Sequence, residues 1–160
     1  MTDMTTRILA ARILAVALAL SVSQATAVTL KKAPNGHVHR LLIQVDQNDP
    51  ALMNLALNNA TNVLEYYRKR GEQTDVDIVA FGPGLHMLRS DTSPVVDRIR
   101  GLKDLAFPGT VRFSACGVTR LGMETKEGKP VAMLPEASMV SSGVVHVMEL
   151  QEKGWSYVRP

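Results

Sequence analysis

Apolar runs of strand length recur along this chain with helical stretches between them, and that alternation limits the fold more than any other feature. His39 to Asp46 (HRLLIQVD), Asp75 to Phe81 (DVDIVAF) and Thr110 to Ala115 (TVRFSA) read as strands. Ala137 to Ser141 (ASMVS) reads as a fourth and Trp155 to Val158 as a short last one. Asn48-Asp49-Pro50 caps a helix from Ala51 to Arg70, which Gly71 stops. Leu85 to Arg89 reads as a helical turn, and Ser93-Pro94 opens a helix to Leu105. Gly117 to Glu127 and Gly143 to Lys153 complete the helical set. This order predicts an α/β domain with a mainly parallel sheet. The near-continuous apolar strands fit a sheet with helices on both faces. Right-handed crossovers place all strand carboxyl ends on one edge, where such folds bind ligands. That rule gathers Asp46, Gly82-Pro83-Gly84, Cys116-Gly117 and Ser141-Ser142 on one rim.

The amino terminus reads differently. Arg7 and Arg12 precede Ile13 to Val22 (ILAVALALSV), an uncharged apolar run, and Ala25-Thr26-Ala27 fits a small-x-small cleavage site. These are the three regions of an export signal. The run is shorter than the roughly 17–25 residues of a membrane span. The expected organisation is a signal peptide over 1–27, a loose leader over 28–38 and one domain over 39–160, in a periplasmic or secreted protein without stable membrane insertion after cleavage. The whole chain has 160 residues, 46% hydrophobic and 21% charged, with a formal net charge of +3. Such a composition excludes a disordered chain, and so weak a positive balance gives no argument for a nucleic-acid partner.

One cysteine in the sequence excludes an internal disulfide and any multi-cysteine metal site. An unpaired thiol is unusual in an exported domain, and Cys116 ends a predicted strand just before a predicted helix. Helix amino-terminal N–H groups favour the thiolate, the reactive form of cysteine, and Arg120 would add positive charge if it turned back. The competing reading is a buried small hydrophobe.

Other candidates surround this residue. In the helix from Ala51, Leu52, Leu55, Ala56, Val63 and Tyr66 share a face at 100° per residue, with Asn59 near its middle and Asn62 near its edge. Asn59 is expected either to bond backbone or to line a cleft. Gly82-Pro83-Gly84 allows close backbone approach, or is a simple tight turn; it carries no nucleotide-binding pattern. Ser142 reads as an N-cap rather than a nucleophile. His37-x-His39 lacks a nearby carboxylate in sequence, so no metal site and no cofactor are expected. His86 and His146 are candidate bases for a cysteine hydrolase if either approaches Cys116. Tyr66-Tyr67 before Arg68-Lys69-Arg70 reads as core tyrosines at a basic helix end.

Several of these segments together resemble the DsrE/DsrF-like family of small sulfur-relay proteins. The residues that carry the resemblance are Asn59 and Asn62 in NNATNVLEYY, the VDIVAFGPGLHML strand and turn, Cys116 and Thr119 in VRFSACGVTRLG, and the MVSSGVVHVMELQEKGWSYVRP ending. They span nearly all of His39 to Pro160. The resemblance implies a three-layer α/β/α fold with a five-stranded, mainly parallel sheet, and homo-oligomers, often trimers or hexamers. It implies that Cys116 passes sulfane sulfur as a persulfide, exchanging it with a donor or acceptor protein. Binding roles then fall to Asn59, Asn62, Gly82, Gly84, Gly117, Thr119 and Ser142. A signal peptide departs from the cytoplasmic setting of the family's relay members. The alternative is a non-catalytic, homo-oligomeric binding module with a structural cysteine.

Overall fold

The computed structural model describes residues 36–160. The expected signal peptide and most of the leader lie outside these residues. The elements run β1 (Val38–Val45), α1 (Pro50–Arg70), β2 (Gln73–Ala80), a 3-10 segment (Gly82–Leu88), α2 (Val96–Leu105), β3 (Thr110–Cys116), α3 (Gly117–Glu127), β4 (Ala137–Val140), α4 (Gly143–Glu152) and β5 (Ser156–Val158). Among the described residues no helix is long and apolar enough to cross a membrane.

The five strands form one sheet in the order β4-β3-β2-β1-β5, and every pairing is parallel. The fold is therefore the expected three-layer α/β/α arrangement. Its two faces are unequal. On one, α1, α2 and the 3-10 segment cover a large core that includes Ile43, Met53, Leu57, Ile78, Leu85, Ile99 and Phe113, and Met123 of α3 packs against it. Phe113 is fully buried, so truncation to alanine is expected to cost about 3–5 kcal/mol. On the other face α4 covers a small core of Leu42, Val79, Val147 and Leu150, with Phe81 and Trp155 against it.

Local chemistry explains the element ends. The Asp49 carboxylate accepts the Ala51 N–H at 2.8 Å and Pro50 begins α1. Gly71 closes α1 with φ 73°, a left-handed conformation suited to glycine. The buried face of α1 is Met53, Ala56, Leu57, Ala60 and Leu64, rotated from the predicted stripe. Leu55 and Tyr66 are exposed, and Tyr67 stacks on His39 with ring centroids 3.6 Å apart, so neither tyrosine is a core residue. His39 lies in β1, as expected, and its Nε2 meets Glu72 Oε2 at 2.7 Å. A carboxylate thus lies beside the histidine pair after all, contributed by the chain 33 residues on.

A buried arginine ties the 3-10 segment to α3. The Arg89 guanidinium donates to both oxygens of Asp91, at 2.9 and 2.7 Å, and to both of Glu127. Only 3% of its side chain is exposed. These bonds, with burial opposing them, hold the Asp91 carboxyl down to about 2 and lower that of Glu127.

Candidate functional site

All five strands point the same way, so their carboxyl ends share one rim, as the sequence predicts. The strand order adds what the sequence could not. From β3 the chain enters α3, which packs with the large core; from the neighbouring β4 it enters α4, which packs on the other face. Two adjacent strands whose exits part to opposite faces make a topological switch point, the preferred ligand crevice of an open α/β sheet. Cys116, the last residue of β3, pairs with Val140, the last of β4, at this place.

The crevice walls are backbone. The Val118 N–H donates to the Ser141 carbonyl at 3.2 Å. A Cβ on Gly117 would lie 3.1 Å from the Val140 oxygen and 3.3 Å from that of Ser141. Gly117 therefore lets α3 start tight against the end of β4. Gly143 does the same for α4, since a Cβ there would lie 2.8 Å from the Phe81 Cβ. The start of α3 thus lies against the end of β4, and the start of α4 against Phe81.

Cys116 is the N-cap of α3, and its Sγ accepts the Thr119 N–H at 3.4 Å. Burial pushes its thiol pKa up. Hydrogen bonds from the Thr119 hydroxyl and the N–H groups of Gly143, Thr119 and Val118 outweigh that and bring it below the ordinary value. The residue is 4% exposed, and its sulfur meets the Thr119 N–H at the start of α3.

Thr119 also joins this helix start to the second strand's loop. Its hydroxyl oxygen accepts the Gly82 N–H at 2.9 Å, and the hydroxyl favours the thiolate of Cys116. Gly82 has φ 52°, which a side chain would disfavour. Gly84 is wedged against β1: a Cβ would lie 2.2 Å from the Val45 carbonyl oxygen. The Gly-Pro-Gly turn thus aims one N–H at Thr119 and holds the start of the 3-10 segment against the sheet.

Of the residues singled out from sequence, Cys116, Gly117, Thr119, Gly82 and Ser142 gather at this rim. Ser142 occupies the N-cap position of α4, but its side chain makes no capping bond. Its carbonyl accepts the His146 N–H, and the residue lines an open cavity of about 280 Å³ with Met139, Val140, Ser141, His146 and Glu149. Asn59 and Asn62 are not in the cluster. They lie on α1, across the sheet from α4, and Asn59 is half-buried while Asn62 is exposed. Their distance down the helix from Pro50, on the order of 13–18 Å, also takes them away from the rim. Arg120 does not turn back; its Nε meets Glu124 at 3.1 Å. Asp46 lies on the rim and is held by Gln44 at 3.0 Å and Arg159 at 2.8 Å.

Neither candidate base pairs with the thiol. His86 Nδ1 meets the Thr92 hydroxyl at 2.8 Å, and His146 Nε2 meets Asp77 Oδ2 at 3.0 Å. Among the described residues no imidazole hydrogen-bonds the sulfur, which removes the geometric basis for a cysteine hydrolase. Among the same residues no group of three or more His, Cys, Asp or Glu is placed to hold a metal ion. Asp77 is the site residue that sequence reasoning missed. The Asp75-x-Asp77 alternation marks a polar strand face, but the partner histidine is 69 positions away in sequence.

No family model matches the chain, and no curated protein matches it. Among solved structures it is similar to MTH1491 from Methanobacterium thermoautotrophicum, described as a protein of unknown function. The two share 28% identity and superpose with a TM-score of 0.63, over 76% of this chain and 99% of that one.

Proposed function

We propose that this protein is an exported, DsrE/DsrF-like sulfur carrier that holds a sulfane sulfur on Cys116. The observation that carries this reading is one sulfur capping a helix start, and accepting the Thr119 N–H, at a topological switch point. Thiolate and persulfide are both anionic, and N–H and hydroxyl donors fixed at two helix starts stabilise either. In the transfer step the Cys116 thiolate attacks the outer sulfur of a donor persulfide, R–S–SH. The donor S–S bond breaks, R–S⁻ leaves and takes a proton from water, and Cys116 becomes –S–SH. The step needs no metal and no redox cofactor. Delivery to an acceptor thiolate is the same exchange reversed.

Homo-oligomerisation is part of the proposal. Val118 and Leu121 of α3, Met139 of edge strand β4, and Val144, Val145 and Met148 of α4 are all exposed. Large apolar side chains so placed on elements flanking the rim suit contact with further copies of the chain. The export reading rests on the sequence of residues 1–27, which lie outside the described structure.

The 4% exposure of Cys116 favours a second reading, a binding module with a structural cysteine. Alkylation separates the two. A carrier's thiol reacts with iodoacetamide in the folded protein, and a structural one reacts only on unfolding.

A further inference from the structure

On the face of the sheet beneath α4, one fully buried carboxylate interrupts an otherwise apolar contact. Asp77 has 0% exposure. Its Oδ1 accepts the Ser114 hydroxyl at 2.7 Å and its Oδ2 accepts His146 Nε2 at 3.0 Å. The Arg112 Nε lies 3.5 Å from Oδ2 with half its side chain exposed. With the Nε2–H tautomer assigned from its bond to the carboxylate, the 3.4 Å approach of Nε2 to Ser114 Oγ is a contact between two donors to one acceptor. Glu149, three residues further along α4, lines the same cavity as His146.

Burying a carboxylate is expensive unless it is fully partnered, and apolar residues already seal the rest of this face. What a polar contact adds is direction. Leu42, Val79, Val147 and Leu150 resist separation, but they tolerate sliding more readily than a hydrogen bond does. The placement of this pin is informative. Ser114 and Cys116 are two residues apart on β3 and share its α4-facing side. His146 and Gly143 are three residues apart on α4 and share one helix face. The strand runs toward the rim and the helix runs away from it. Val140, the partner of Cys116 on β4, leads through Ser141 and Ser142 into Gly143, so Cys116 and Gly143 sit together at the rim, while Ser114 and Asp77 meet His146 one level below. These are two rungs between the same two elements.

We infer that His146, held by Asp77, which the Ser114 hydroxyl braces in turn, is a positioning residue for Cys116: it fixes the first turn of α4 so that the Gly143 N–H stays beside the sulfur. The inference rests on the carrier reading above and names a residue set that the reading alone does not need. His146 Nε2 bonds Asp77 rather than the sulfur; it acts through the helix turn.

The test measures thiol ionisation in the full-length protein, from the pH dependence of iodoacetamide alkylation, in wild type, His146→Ala, His146→Gln and Ser114→Ala, with circular dichroism to establish folding. The wild-type thiol is expected to ionise below the ordinary cysteine range. His146→Ala is expected to move ionisation up by about one pH unit, which is about tenfold less thiolate on the acid side. His146→Gln keeps an N–H donor for Asp77 and is expected to recover most of that. A merely structural histidine would lower stability and leave the thiol's titration alone. A folded His146→Ala protein with wild-type ionisation overturns the inference and leaves the carrier reading standing. A wild-type thiol that titrates like free cysteine overturns the carrier reading itself. If His146→Ala does not fold, Ser114→Ala decides: an upward shift of the same sign supports the inference, and an unchanged titration overturns it.

Discussion

The Thr119 N–H lies 3.4 Å from Cys116 Sγ, and the hydroxyl of the same threonine accepts the Gly82 N–H. One side chain therefore couples the loop after β2 to the thiol at the end of β3. Replacing Thr119 with valine keeps the shape and deletes the hydroxyl. Alkylation of Cys116 near neutral pH should slow by about three- to tenfold, the effect of losing one hydrogen bond of roughly 0.5–1.5 kcal/mol. Thr119→Ser should retain most of the wild-type rate. Equal rates in the valine variant and wild type would mean that the hydroxyl does not reach the sulfur.

The close approach of α4 to Phe81 makes a second prediction. Gly143→Ala puts a Cβ 2.8 Å from the Phe81 Cβ, so the helix start must retreat. Overpacking of this kind costs about 1–3 kcal/mol, readable by urea unfolding. Because the retreating turn carries the Gly143 N–H, the thiol should also lose part of its depressed pKa. Gly84→Ala meets backbone at 2.2 Å instead of a side chain and should be the more damaging of the two.

The Arg89 cluster predicts a pH dependence. Asp91 is depressed to about 2, chiefly by its bonds to Arg89. A carboxylate whose pKa is lower folded than unfolded stabilises the fold above its unfolded pKa, about 3.9. That contribution is lost as pH falls from there through about 2. Thermal melts at pH 5 and pH 2.5 should therefore differ less in Asp91→Asn than in wild type. An identical acid dependence in the two proteins would contradict the assignment.

Much of the fold was legible because local signals agreed. Asp49-Pro50 and Gly71 bracket α1, and the apolar runs around Ile43, Ile78 and Phe113 mark the three central strands. The rim followed from parallel pairing alone. What was not legible depended on contacts distant in sequence. In the first half of α1, Leu52, Met53, Leu55, Ala56 and Leu57 spread apolar side chains over an arc of about 200° at 100° per residue, wider than one buried face. Periodicity could not choose the buried phase there, and packing against β1 and β2 chose Met53 and Leu57 over Leu55. Asn59 lies away from the sulfur whatever that phase, because α1 covers the opposite face of the sheet from α4. Cys116 and Thr119 were readable through their spacing at a strand-to-helix junction. Gly143 and the Asp77–His146 pair needed the crossover from β4 to be known.

The central claim is that Cys116 carries sulfur, and intact mass spectrometry tests it most directly. Folded protein incubated with a low-molecular-weight persulfide should gain about 32 Da, one sulfur atom, removable by a thiol reductant. Cys116→Ser should gain nothing. A folded wild-type protein whose thiol is alkylated by iodoacetamide, yet which never gains that mass, would contradict the account.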